Sequence, residues 1–513
     1  MNGAELLIKT AVSAGIEYCF ANPGTTEMPI VAAMETELRL KPVLSMFEGV
    51  CTGAADGYGR IAGRPAMTLT HLGPGFANGI ANLHNARRAG SPIINLIGDH
   101  ATWHVNYDPP LASDIESLAR PVSSWVRTSK SADGISNDFL SACRASWQPP
   151  GQIATLVLPM DLQAAPVKDF ESNVAIEAPK RRFNGESVEQ VARIIRAGER
   201  LVFIVGDNGL SQEGLRAAGR LAQLDGLAFY AETFPRVSYR GGGLPDLDRL
   251  PYFPEVAIAA LSEYDHVVQA GVVEPISYFG YEGLPSRLAP TERLLTLAEV
   301  GEDVTAALIA LADALEAPAY IETRNEVSLP AGEDALSPQS VGQIVAAGLP
   351  EDCIVSVEGG TCGYPFFTAS ANAAKHRVMT NTGGAIGQGI PAALGAALAE
   401  RGNTVISLQS DGSAQYTIQA LWTIAREQLP VVVLIAANHR YAILQNELRR
   451  YGITEFGPQS LALTELSNPK VDWLALSKGY GVAAVRVETN AELVRELAAA
   501  CAAKEPRLIE MAL

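Results

Sequence analysis

The chain has 513 residues, of which 48% are hydrophobic and 19% charged, with a formal net charge of −17. The length sets an expectation of about three domains, and an acidic chain without long Lys/Arg runs is not built to track nucleic acid. Six cysteines (Cys19, Cys51, Cys143, Cys353, Cys362, Cys501) include no C-x-x-C pair, which favours reduced thiols in the cytoplasm over disulfides or a zinc site.

The N-terminal "MNGAELLIKTAVSAG" carries Glu5 and Lys9 within its apolar pattern, so it reads as an amphipathic helix rather than a signal peptide. No apolar run approaches the roughly 18 residues of a membrane span, and no membrane partner is expected. Candidate strands follow as "YCFAN", "PVLSMF", "AMTLT", "PIINLIG" and "ATLVLP", separated by helical stretches. Glu48 stands where the second strand turns into a helix. It reads either as a helix-start acid or as a carboxylate among apolar neighbours, placed to exchange a proton with a bound base. His71 ends the third strand, and Gly73, Pro74 and Gly75 then form a turn that no side chain obstructs, with Asn78 beyond.

Two polar, Pro-bearing connectors, 165–187 and 317–337, divide the chain. Between them, "RLVFIVGDNG", "HVVQAGV" and "RLLTLAE" read as strands. The last piece offers "CIVSVEGG", "VISLQS", "VVVLIAAN" and "RLIEMA". Alternating strands and helices predict an α/β fold of three Rossmann-like, doubly wound parallel-sheet domains, at 1–165, 186–318 and 336–513. "AVSAGIEYCFANPGTTE" near the start echoes "IVAAGLPEDCIVSVEGGT" in the last piece, which suggests that the first and third domains share a topology.

The chemistry concentrates in "VISLQSDGSAQYTIQALWTIAREQLPVVVLIAANHRY". Two apolar strands flank a helix expected over 416–426; one ends in Asp411 and the other in Asn438. A right-handed crossover between parallel strands places both at a carboxyl edge. There an acid and an amide oxygen suit a hard cation such as Mg²⁺, which keeps water and phosphate as further ligands. Helix capping by Asp411 and turn initiation by Asn438 remain the alternative. The glycines of "NTGGAIGQGIPAALGAALA" do not follow the dinucleotide spacing, so backbone pressed against a flat ligand is expected instead of a nicotinamide site.

Taken in order, "ANPGTTEMP", "FEGVCTGAADGYGR", "HLGPGFANG", "NTGGAIGQGIPAALGAALA" and "SDGSAQYT…ANHRYAI" resemble the thiamine-diphosphate enzymes of the acetolactate synthase and benzoylformate decarboxylase superfamily over nearly the whole chain. The resemblance implies pyrimidine-binding, middle and pyrophosphate-binding domains, and a homodimer or homotetramer with active sites shared between subunits. It implies that Asp411, Asn438 and the Arg440 carbonyl hold Mg²⁺, and that Gly360, Thr361, Gly412 and Ser413 hold the diphosphate. Gly384 would bond the aminopyrimidine, Ile386 would prop the cofactor in a bent shape, and Glu48 would come from the partner subunit. Thr25, His71 and Asn78 fall at substrate- and cofactor-facing positions, with His71 the candidate proton relay.

The implied activity is decarboxylation of a 2-oxo acid with carboligation of the acetolactate synthase type, through an enamine. The alternatives are a non-oxidative decarboxylase of the benzoylformate type, a flavin-linked oxidase and a catalytically silent cofactor-binding protein. The middle piece shows no flavin signature, so FAD is not expected. Ser410 replaces the family's usual Gly before the metal acid. Tyr278 or Phe279 stands where benzoylformate decarboxylases place a second histidine, and Leu444 is apolar where pyruvate decarboxylases place an acid.

Overall fold

The computed structural model describes residues 1–168 and 176–513; part of the first predicted connector, 169–175, lies outside the described residues. Strands β1 (Tyr18–Asn22), β2 (Lys41–Leu44), β3 (Ala66–His71), β4 (Ile93–Asp99), β5 (Trp125–Thr128) and β6 (Ile153–Pro159) form one parallel sheet in the order β2-β1-β3-β4-β6-β5. Its inner strands are buried almost end to end, as expected for a sheet covered by helices on both faces.

The middle segment contributes β7 (Leu201–Val205), β8 (Leu227–Ala231), β9 (Ser238–Arg240), β10 (Asp248–Arg249), β11 (His266–Ala270) and β12 (Leu294–Ala298). Five of these make a parallel sheet ordered β10-β8-β7-β11-β12. The last segment adds β13 (Cys353–Val357), β14 (His376–Thr380), β15 (Val405–Ser410), β16 (Val431–Ala437), β17 (Ala483–Val487) and β18 (Arg507–Ala512). They run parallel as β17-β18-β16-β15-β13-β14, and β9 crosses over from the middle segment to close the β14 edge in antiparallel register.

The three α/β domains expected from the sequence are therefore present. The first and third sheets have the same order, β2-β1-β3-β4-β6-β5 against β14-β13-β15-β16-β18-β17, so the sequence echo reflects a shared topology. In each sheet the chain steps to one side of its first strand and then returns to the other. Such a reversal opens a crevice at the carboxyl edge. The crevices lie between β1 and β3, β7 and β11, and β13 and β15.

Sequence reading missed β5, β8, β9, β10, β14 and β17. "WVRT", "HRVMT" and "AAVRV" interleave charge with apolar residues, and β5 and β17 are half-buried edge strands, so they lack the continuous apolar run of a central strand. The helix expected over 416–426 is shorter: a single turn at Asp411–Ala414 precedes a helix at Ala420–Arg426.

The first and third domains pack closely at a helix crossing. The helix Glu48–Ala62 crosses the helix Gly389–Ala399 so closely that a Cβ on Gly395 would lie 1.9 Å from the Ala54 carbonyl oxygen. A Cβ on Gly57 would lie 2.1 Å from the Ala392 carbonyl oxygen. Beside the crossing, Arg60 pairs with Asp56 at 2.6 Å with both side chains fully buried. Arg60 also donates to the Thr380 carbonyl (2.7 Å), and Ser91 Oγ donates to Asp56 (2.5 Å). Satisfying both buried ions is what makes such a pair tolerable, since leaving either alone is costly.

Gly395→Val should destabilise the protein by about 3 kcal/mol in urea unfolding, because neither backbone can retreat. Gly185→Ala, with nothing within 4 Å of its Cβ, should leave the midpoint unchanged. A second expectation concerns His376, buried on β14, whose Nδ1 lies 2.7 Å from the Ala374 carbonyl oxygen. Burial, reinforced by the Arg240 charge, lowers its pKa to about 4 from 6.5. Between those values the unfolded chain takes up a proton that the folded one refuses, so stability is present above pH 6.5 and lost as pH falls toward 4. His376→Asn should remove about 3 kcal/mol of that acid sensitivity, read as the difference in unfolding free energy between pH 7 and pH 4.

Candidate active site

Strands β15 and β16 are direct neighbours, with Ser410 opposite Ala436, so Asp411 and Asn438 leave the sheet side by side. Asp411 is only 3% exposed, and its carboxylate ties the two strand ends together. Oδ1 accepts from the Gly412 N–H (2.9 Å) and Oδ2 from the His439 N–H (2.6 Å). Burial raises the Asp411 pKa and these backbone donors oppose the rise. Asn438 donates through Nδ2 to Thr361 Oγ1 (3.3 Å), while its Oδ1 accepts from the Arg440 N–H (3.1 Å).

A cleft of about 360 Å³ opens here, lined by Gly360, Thr361, Ile386, Ser413, Asn438 and Arg440 among others, all from the last segment. The helix Gly360–Ser370 points its N-terminus into it with no side chain capping the free N–H groups. Such an end attracts phosphate oxygens. Gly412 is held against Tyr441, whose ring would lie 2.4 Å from any Cβ there.

The chemistry of this lining fits a metal-bound diphosphate. Among the described residues no group of three or more His, Cys, Asp or Glu could hold a metal. One acid, one amide and one carbonyl oxygen instead form a partial set for a hard cation, which phosphate and water would complete.

The loop 381–388 forms one wall. Glu358, which lines the cleft, accepts from the N–H groups of Gly387 (2.5 Å) and Gly389 (2.7 Å), and desolvation raises its pKa. From the first domain, Asn85 donates to the Ala385 carbonyl (2.8 Å) and accepts from the Ala385 N–H (3.1 Å). Held from both sides, the loop presents Ile386 to the cleft and Gly384 at φ +77°, a left-handed value that favours glycine. The Tyr278 hydroxyl packs against Gly384, 2.2 Å from where a Cβ would be.

Glu48, His71, Asn78 and Thr25 belong to the first domain and are not among the residues lining that cleft. Glu48 opens its helix, is 8% exposed and accepts from Asn78 Nδ2 (3.0 Å). At the β1/β3 crevice, His71 Nδ1 meets Glu27 Oε2 at 2.8 Å. Glu27 is fully buried and also accepts from Thr26 Oγ1 (2.5 Å) and the Gly24 N–H (2.7 Å). Thr25 is exposed, and its neighbour Thr26 turns inward instead.

Sequence reasoning missed Glu27 and Glu358. The signal for Glu27 was its place three residues after Gly24, the spacing of an acid that folds back on a helix start. Glu358 gave the signal of an acid directly after a buried strand.

Residues 1–118 match the family described as thiamine pyrophosphate enzyme, N-terminal TPP binding domain, and residues 361–511 match its C-terminal TPP binding domain. The Mycobacterium tuberculosis protein IlvX, which carries the name of an acetolactate synthase large subunit, is 45% identical over 100% of this chain and 99% of its own. The benzoylformate decarboxylase of Pseudomonas aeruginosa is 28% identical over 97% of this chain and 96% of its own. The fold is shared with the thiamine diphosphate-dependent 4-hydroxybenzoylformate decarboxylase of Rhodococcus jostii, at TM-score 0.84 and 23% identity, covering 100% of this chain and 99% of that one. A phosphate-seeking cleft on the last domain, a buried carboxylate on the first and full-length likeness agree, and the chain belongs to the thiamine pyrophosphate enzymes of the acetolactate synthase and benzoylformate decarboxylase superfamily.

Proposed function

We propose that this protein is a thiamine diphosphate- and Mg²⁺-dependent decarboxylase and carboligase acting on a 2-oxo acid. One observation carries the reading: Asp411 and Asn438 leave adjacent strands side by side, at the edge of a cleft lined by Asn438, Gly360, Thr361 and Ser413 and by Asp411's neighbours Ser410 and Gly412. In this reading Asp411, Asn438 and the Arg440 carbonyl hold the ion. The N–H groups of Gly360 and Thr361, with Gly412 and Ser413, hold the diphosphate. Ile386 would support the cofactor from the cleft wall, and the Gly384 carbonyl would accept from its aminopyrimidine. The domain limits 1–165, 186–318 and 336–513 belong to the same reading.

Glu48 holds a proton at the pyrimidine N1′. Its own chain's cleft is lined by the last segment alone, which supports supply of Glu48, with Asn78, His71 and Thr25, across a subunit interface in a homodimer or homotetramer. Bound thiamine diphosphate supplies the electron sink needed to break the bond to a 2-oxo acid's carboxylate. His71, donating from Nδ1 to Glu27, keeps Nε2 as an acceptor and so serves as proton relay to the product. The six cysteines are all buried free thiols, which supports a reducing, cytoplasmic setting. No helix among the described residues is long and apolar enough to cross a membrane.

Purified protein with thiamine diphosphate and Mg²⁺ should release CO₂ from at least one member of a 2-oxo acid panel. Release from none refutes the activity, and product mass separates 2-hydroxy ketones from simple aldehydes. Glu48→Gln should lower turnover by roughly hundredfold or more while cofactor binding, measured by calorimetry, persists. Asp411→Ala should weaken Mg²⁺-dependent cofactor binding by roughly tenfold or more; unchanged affinity would remove Asp411 from the metal site.

A further inference from the structure

Two arginines pack on the ring of Phe367, and the difference between them points to a site. Arg240 lies 4.3 Å from the ring centroid with a full set of partners. It pairs with Asp246 (2.6 Å) and donates to the Phe367 carbonyl (2.9 Å), Ser370 Oγ (3.1 Å) and the Leu247 carbonyl (3.3 Å). Arg249 lies 3.9 Å from the same ring and 5.0 Å from that of Tyr364. Among the described residues no carboxylate, carbonyl or hydroxyl bonds its guanidinium, although the chain carries 56 acidic residues. Burial, then the Arg240 charge, lowers its pKa to about 10, so at neutral pH it stays charged.

Stacking on rings holds a guanidinium flat but leaves its five N–H donors unused. Half-burying such a group beside a second cation is unfavourable unless something of opposite charge arrives. The setting allows arrival. Arg249 lines a cavity of about 550 Å³ between the middle and last domains, walled by Tyr252, Gln339 and Tyr364. It also lines a smaller cavity of about 60 Å³ with Phe234, Gly360 and Asn381. Tyr364 is common to both cavities and to the cofactor-type cleft, and Gly359 and Gly360 separate the small cavity from that cleft. The free guanidinium thus stands behind the Gly359–Gly360 wall of the cleft.

We propose that Arg249 is an anion-binding residue that receives a second acidic group, carboxylate or phosphate, at the far end of a substrate whose 2-oxo acid end reacts in the cleft. A planar fork of donors suits both groups through paired hydrogen bonds. The carboxylate lost as CO₂ needs no strong partner; one that remains in the product does. The binding site stands on the unpaired guanidinium and its cavities, while the identity of the ligand as a substrate rests on the decarboxylase reading above.

The test uses holoenzyme saturated with thiamine diphosphate and Mg²⁺, so that the cleft's own phosphate-binding groups are occupied. Succinate and inorganic phosphate are titrated calorimetrically into wild type, Arg249→Met, which keeps the ring contacts, and Arg249→Lys, which keeps the charge. We expect whichever anion binds wild type to lose roughly tenfold or more in affinity in Arg249→Met, with Arg249→Lys between the two. Preference for succinate identifies a distal carboxylate and preference for phosphate a phosphoryl group. In turnover, Arg249→Met should raise KM for 2-oxopentanedioate but not for 2-oxopentanoate, which differs only in lacking the distal acid. No binding of either anion to wild type, or equal binding to wild type and Arg249→Met, overturns the proposal. Arginine-dependent binding without CO₂ release from any member of the 2-oxo acid panel keeps the anion site and sinks the decarboxylase reading instead.

Discussion

The first and third domains of one chain are locked together at the crossing of Glu48–Ala62 and Gly389–Ala399. Gly57 and Gly395 let backbone meet backbone there, at a separation that leaves no space for a methyl group. The same two helices begin at positions of the proposed site, one with the Glu48 carboxylate and the other directly after the loop that carries Gly384 and Ile386. A close-packed interface transmits position because it does not compress. Hydrogen bonds from Asn82 to the Gly387 carbonyl and from Asn85 to Ala385 extend that constraint to the loop itself. The buried Asp56–Arg60 pair adds direction, since its donors and acceptors are satisfied in one arrangement only.

The three sheets solve one problem three times. Each reverses direction beside its first strand, and each reversal gathers chain ends of different origin at one edge. In the last domain the gathered groups are Glu358, Gly360 and Asp411; in the first they are Glu27 and His71; in the middle they are Asp207 and Gly271. The first and third domains share a strand order, yet one crevice offers a carboxylate–imidazole pair and the other a helix N-terminus beside a buried acid. The fold supplies a common frame, and local residues set the chemistry.

Much of this frame was legible before any coordinates. Continuous apolar runs such as "VVVLIAAN" announce central strands, because both faces are buried, and two runs that end in Asp411 and Asn438 place those residues at one edge once a crossover is inferred. Legibility fails where the partner is distant in sequence. Glu27 looks like a helix-start acid until His71, 44 residues away, arrives beside it. Thr25 and Thr26 cannot be told apart in a string, since a turn of three residues decides which hydroxyl points inward. Arg249 sits between Asp248 and Leu250, where proximity in sequence suggests an ion pair, but the nearby acid Asp246 is taken by Arg240 instead. Edge strands such as "WVRT" and "AAVRV" carry charge that masks their β character.

Strand β9 gives the architecture an unusual covalent economy. It is encoded in the middle of the chain yet completes the sheet of the last domain, in antiparallel register on the β14 edge. An excised last domain would therefore carry a raw row of backbone donors and acceptors, a template for self-association. Replacing the middle unit by another would likewise have to carry this three-residue staple along, because without it the β14 edge stands open.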